Sequence, residues 1–161
     1  MNSPPVANMP EIERLFQTAP FIRLLGLELV NAAPGRCETV LALEPHHLQQ
    51  DGVVHAGVLA TMADHTSGTA GASIIGVDAY VLTAEFKINL LRAARGERLH
   101  CVGTVLKPGR RLIVAESEVF DGVPDSGKLV AKATVTLAVM TKPSAAASET
   151  DKSTREKRNH R

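Results

Sequence analysis

The chain has 161 residues, 44% of them hydrophobic and 22% charged, with a formal net charge of +1. That length suits a single domain with a sizeable core, and the near-neutral balance argues against nucleic acid or an anionic membrane surface as a partner. Cys37 and Cys101 stand far apart and make neither a disulfide framework nor a zinc pattern, and no apolar run approaches the ~20 residues of a membrane span. The start, MNSPPVANMPEIERL, lacks the basic and apolar regions of a secretory leader, so a cytoplasmic protein is expected.

Residues 1–9 are rich in Pro and Asn and read as a loose lead-in to a folded domain over residues 10–142. Pro10 opens a short helix with Ile12, Leu15 and Phe16 at helical spacing. Pro20 breaks it, and Phe21, Ile22, Leu24 and Leu25 form a second apolar turn before Gly26. Strands are expected over 27–33 and 36–44, joined by a turn at Ala33-Pro34-Gly35.

The next stretch, residues 47–73, organises the rest. A turn at Gln49-Gln50-Asp51-Gly52 leads into one helix from near His55 to about Gly76. Helical spacing places Gly57, Ala60, Thr61, Asp64, Ser67, Gly68 and Gly71 on a face of small residues, and Val58, Leu59, Met62 and later Ile74 on a bulky one. Glycine inside a helix costs about 1 kcal/mol relative to alanine, so several of them ask for close packing or a ligand. Asp64 sits mid-helix among them, where a carboxylate is costly unless paired or wet.

The segment from Tyr80 to Leu91 alternates, with Tyr80, Leu82, Ala84, Phe86, Ile88 and Leu90 on one face and Thr83, Glu85, Lys87 and Asn89 on the other. Turn residues Ala94-Arg95-Gly96 lead from it to a strand over 97–107. Strands over 111–120 and 128–141 follow through the turn Lys107-Pro108-Gly109-Arg110 and the loop Asp121 to Gly127, so that all four are expected to run as antiparallel hairpins. Residues 143–161 lack any apolar period and read as a disordered polar tail. One helix after two strands and before four antiparallel ones makes an α+β arrangement.

Taken together, Gln49-x-x-Gly52-x-x-His55-Ala56-Gly57, the acid Asp64 nine positions after the His, and Thr83 on the following strand resemble the hotdog-fold acyl-CoA thioesterases, most of all the PaaI type. That pattern has Asn where this chain has Gln49, and Gly where it has Ala56. The resemblance spans roughly residues 15–141 and implies a long central helix wrapped by a curved antiparallel sheet of about six strands. It also implies an enzyme that hydrolyses acyl-CoA thioesters to a free acid and coenzyme A, as a homodimer or dimer of dimers with sites between subunits. No cofactor or metal is implied, coenzyme A being part of the substrate.

The chemistry gives each residue a role. A helix start offers free N–H groups and partial positive charge, so the Gly57 N–H is a candidate donor to the thioester oxygen. Asp64 is the candidate base for water, or the nucleophile, facing the Gly57 end of the partner's helix by the resemblance. Thr83 would share the water, and Gln49 and His55 would orient the carbonyl and the loop. Arg92 and Arg95 at one turn, and Lys107, Arg110 and Arg111 at another, are candidates for the phosphates of coenzyme A. His46, His47, His65 and His100 have no metal-ligand spacing and read as solvated or core histidines. Two other readings stay open, a non-catalytic acyl-thioester binding module and an enoyl-CoA hydratase or dehydratase using Asp51 and His55.

Overall fold

A computed structural model describes residues 9–142; the expectations for residues 1–8 and for the tail 143–161 lie outside the described residues. The elements are α1 (Met9–Thr18), α2 (Pro20–Leu25), β1 (Glu28–Ala33), β2 (Arg36–Ala42), a 3-10 turn (Pro45–His47), α3 (Ala56–Ala72), β3 (Ala79–Leu90), β4 (Arg98–Lys107), β5 (Leu112–Asp121) and β6 (Lys128–Thr141). All strand pairs are antiparallel, in the order β1-β2-β4-β5-β6-β3. The sheet curves around α3, which packs chiefly against β4 and β5. This is the expected α+β architecture.

The periodicity that predicts α3 also buries it. Val58, Leu59, Met62, Ala63 and Ala70 enter the core together with Leu99, Ile113 and Leu137 of the sheet. Two glycines bring the layers close. A Cβ on Gly71 would run into the Leu137 side chain, and one on Gly103 would stand 2.8 Å from the Thr66 carbonyl oxygen. Two polar contacts bridge the layers: Thr39 and Thr66 hydroxyls lie 2.7 Å apart, and the Ser117 hydroxyl donates to Ala63 O at 3.0 Å, whereas the buried Ser67 hydroxyl has no partner among the described residues. A satisfied polar pair keeps such a core from losing stability to desolvation.

Four expectations are corrected. First, α3 stops at Ala72 rather than near Gly76. The Ser73 hydroxyl donates to Ala70 O (2.7 Å) and accepts from the Gly35 N–H (2.8 Å), tying the helix end to the β1–β2 turn. Second, β3 and β4 do not form a hairpin. β3 pairs with β6 at the far edge, and residues 91–97 cross the sheet end so that β4 lies beside β2. Three strand spacings are ~14 Å, well within the ~23 Å reach of seven residues.

Third, the alternation of β3 is interrupted. The register with β6 shifts between Thr83 and Glu85, a bulge at Ala84. Before it Thr83 opposes buried Leu137; after it Phe86 opposes buried Val135. Thr83, Phe86 and Ile88 thus share the helix-facing side, while Tyr80 and Leu82 face outward with Glu85 and Lys87. A bulge adds one residue and so swaps the faces beyond it. Fourth, Ser67 and Gly71 belong to the buried sheet side of α3, not to one face with Gly57 and Gly68.

Candidate active site

The segment before α3 is held from several sides. Buried His47 accepts the Glu44 N–H at Nδ1 (2.9 Å) and donates from Nε2 to Leu25 O (2.9 Å), which makes it a structural clamp. Gly52 turns the chain at φ 67°, a left-handed value that favours glycine. The Arg95 guanidinium donates to Asp51 O (3.2 Å) and Gly52 O (3.3 Å), while the Asp121 carboxylate accepts the N–H groups of Arg95 (2.9 Å) and Gly96 (3.1 Å). The crossing 91–97 thereby braces the loop that carries Gln49 and delivers the start of α3.

At that start the structure shows the role that the sequence leaves open for His55 beside the orienting one, that of a cap on the helix. His55 is the N-cap, with extended backbone (φ −64°, ψ 137°), and its Nδ1 accepts the Gly57 N–H at 2.9 Å. Histidine is not among the usual capping residues, so the signal for this cap is its place at the helix start rather than its residue type. The cap engages the donor expected of Gly57. One residue earlier, the Ala56 N–H has no hydrogen-bond partner among the described residues. Ala56 borders a cavity of about 420 Å³, lined also by Gln49, His55, Leu59, Leu90 and Arg92. The Gln49 side-chain amide is likewise without a partner among the described residues.

Asp64 lies two turns further along α3. The Thr83 hydroxyl donates to its Oδ1 at 2.7 Å, a bond made possible by the Ala84 bulge that turns Thr83 toward the helix. Burial pushes the Asp64 carboxyl above its ordinary value of 3.8, and the Thr83 bond opposes that shift. A cavity of about 370 Å³ adjoins it, walled by Phe21, Ile22, Ala60, Thr61, His65 and Phe86. His65 makes no bond to Asp64; its ring meets Phe16 edge-on at 4.8 Å, and burial lowers its pKa to about 4.

Asp64 and Thr83 are therefore together, and Gln49, His55 and the helix start are together, but the two groups stand apart. Eight residues separate Ala56 from Asp64, ~12 Å along a helix. A reacting carbonyl must lie ~3 Å from both donor and base. One chain cannot place both on one carbonyl. The basic candidates divide as well. Arg92 borders the helix-start cavity and donates to Leu129 O (2.8 Å), whereas Lys107, Arg110 and Arg111 sit at the opposite end of β4 and β5.

Among the described residues no helix is long and apolar enough to cross a membrane, and no group of three or more His, Cys, Asp or Glu could hold a metal ion. The profile described as Thioesterase superfamily matches residues 51–128. Human acyl-coenzyme A thioesterase 13 is 30% identical over 129 residues, which cover 75% of this chain and 86% of that one. A thioesterase family protein from Silicibacter pomeroyi superimposes with a TM-score of 0.79 at 33% identity, over 83% of this chain and 98% of that one. The PaaI protein of E. coli, from the phenylacetic acid degradation operon, shares the fold with a TM-score of 0.74 at 18% identity, over 83% and 94%.

Proposed function

Since the chain belongs to the thioesterase superfamily, and is thus a hydrolase of thioesters, we propose that its substrates are acyl-CoA thioesters and that Asp64 activates the water that cleaves them. The observation that carries this reading is the Thr83–Asp64 bond. A hydroxyl fixed on Oδ1 orients the carboxylate and leaves Oδ2 for a water, beside a cavity with room for an acyl group. In this reading Asp64 takes a proton from the water as its oxygen attacks the carbonyl carbon. The C=O electron pair moves to an oxygen held by the Ala56 N–H, which takes the part expected of Gly57 while His55 caps the latter. Collapse of the tetrahedral intermediate then breaks the C–S bond, and the thiolate leaves with the proton as coenzyme A.

The donor belongs to a second copy. That arrangement removes the ~12 Å separation and fits the exposed edge of the sheet. β3 is a twelve-residue edge strand with Leu82 52% and Leu90 53% exposed, a surface that an isolated chain leaves open to pairing. Arg92, which lines the helix-start cavity, would meet the phosphates of coenzyme A in this reading.

The test is thiol release from short, long and aryl-acetyl CoA esters by the wild-type chain and Asp64→Asn. Turnover lowered about a hundredfold to ten-thousandfold by the substitution, with the fold and assembly intact, is expected. Saturable binding without turnover on any ester would replace the hydrolase with a binding module. Turnover indifferent to Asp64→Asn would discard the mechanism.

A further inference from the structure

His47 is 1% exposed, and its two partners fix its protonation state. A backbone N–H only donates and a backbone carbonyl only accepts. Nδ1 accepts the Glu44 N–H at 2.9 Å, and Nε2 meets Leu25 O at 2.9 Å. The ring is therefore neutral, with its one proton on Nε2. A second proton, on Nδ1, would set donor against donor and break the bond to Glu44.

That ring sits at a junction. Its two bonds join the end of α2 to the residue before the 3-10 turn. The His47 carbonyl accepts the His55 N–H (2.9 Å), which closes the base of the loop 48–54. Within that loop Leu48 pairs with Val54, and the Gln49 N–H donates to Val53 O (2.8 Å). His55 then caps α3, with Ala56 directly after it. On the other side of the junction, α2 carries Phe21 and Ile22, which wall the cavity beside Asp64. One side chain thus ties the loop that delivers the helix start to the helix that walls the carboxylate.

We infer that His47 is a positioning residue for the reaction: as the neutral ring it holds the helix start in place, and uptake of a proton at Nδ1 releases it. The effect on rate rests on the donor role proposed for Ala56; the release of the loop does not. Burial lowers the His47 pKa from the ordinary 6.5, and the His46 ring, centred 4.0 Å away, acts in the same direction. The Leu25 bond and the Glu44 carboxylate oppose both. Arg23 on α2, and Asp51 and His55 in and after the loop, are the other charged or titratable groups on the elements packed against it. A histidine lowered in the closed form favours that form fully above 6.5, and the contribution is lost as pH falls from 6.5 toward the lowered value.

The experiment compares the wild-type chain with His47→Gln and His47→Leu. Glutamine at the third position of a helical turn reaches back to the capping N–H, keeps an amide N–H for Leu25 O, and does not titrate. Leucine makes neither bond. Amide hydrogen exchange, corrected for intrinsic rates, is followed by NMR from neutral to mildly acid pH. In the wild type, protection of the Gln49 and His55 N–H groups falls by up to about tenfold per pH unit below 6.5, while the amides of β5 keep theirs. In His47→Gln the fall is absent. Glu44, His46, His55 and Asp64 titrate in both chains, so the difference belongs to His47. An equal fall in both chains, or none in either, overturns the inference. With an acyl-CoA ester that the wild type cleaves, His47→Leu lowers kcat about tenfold to a hundredfold with KM within about twofold, and His47→Gln restores most of it. A kcat in His47→Leu equal to wild type, or a glutamine variant as slow as the leucine one, overturns the positioning role. Should His47→Leu not fold, the exchange comparison of wild type with His47→Gln decides alone. If the wild-type chain cleaves no ester, the hydrolase reading fails separately, and exchange still decides whether His47 holds the loop.

Discussion

At the scale of single residues, Asp64 is tuned for two conflicting demands. Burial lifts its carboxyl above 3.8, while the Thr83 hydroxyl steadies the charged form. The sign follows from linkage: a carboxyl raised on folding favours the folded state while protonated, and that contribution is lost as pH rises through the folded value. Asp64→Asn should therefore leave the thermal midpoint unchanged below the ordinary carboxyl range and raise it at neutral pH, where the wild-type carboxylate is partly desolvated. Thermal scans at the two pH values check this, and an asparagine variant less stable at neutral pH would show that the charge is compensated by a partner. The donor at Ala56 can be tested as cleanly. Proline has no N–H, is tolerated at the first helical position, and requires an extended residue before it, which His55 already is. Ala56→Pro should keep the helix and lower kcat about a hundredfold to a thousandfold, the usual loss for one oxyanion donor. Unchanged kcat with intact circular dichroism would return the role to Gly57.

At the scale of elements, α3 shows what the sequence made legible and what it hid. The spacing of Val58, Leu59 and Met62 announced the buried stripe, and the small residues announced close approach somewhere along the helix. Periodicity could not say against what. Gly71 faces Leu137 of β6, and Gly68 faces open space, although they stand only three positions apart in sequence. The two substitutions to alanine should thus differ in sign. Gly71→Ala is expected to destabilise by about 1–3 kcal/mol through overpacking, and Gly68→Ala to stabilise by up to about 1 kcal/mol through helix propensity. Denaturant unfolding of both variants reads the difference, and matching signs would contradict the placement of either glycine. The bulge in β3 was hidden for a different reason. Its residues alternate well in sequence on either side of Ala84, and only pairing with β6 reveals the extra residue. The expected meeting of Thr83 with Asp64 is present in the fold, through a face of the strand opposite to the one the alternation implied. Likewise, the crossing of residues 91–97 depends on which strands pair, a long-range property that local turn signals do not carry.

At the scale of the whole molecule, one geometric fact governs the rest: the helix start and the carboxylate of one chain are too far apart to act on one carbonyl. Two-fold pairing of copies would bring each helix start to the other's Asp64, giving two equivalent sites in which every chain serves twice. This makes a prediction that neither half-site alone can imitate. Ala56→Pro removes the donor and Asp64→Asn the base, so each variant alone assembles with both sites impaired. Mixed after dissociation and reassociation, half of the pairs combine one chain of each kind. In such a pair one site unites an intact Ala56 with an intact Asp64, and the other carries both defects. The mixture should regain about a quarter of wild-type activity. The readout is thiol release before and after remixing, with size measured in solution alongside. Activity that stays at the mean of the two variants would place donor and base within one chain, and the separation along α3 would then have to be bridged by movement of the helix start.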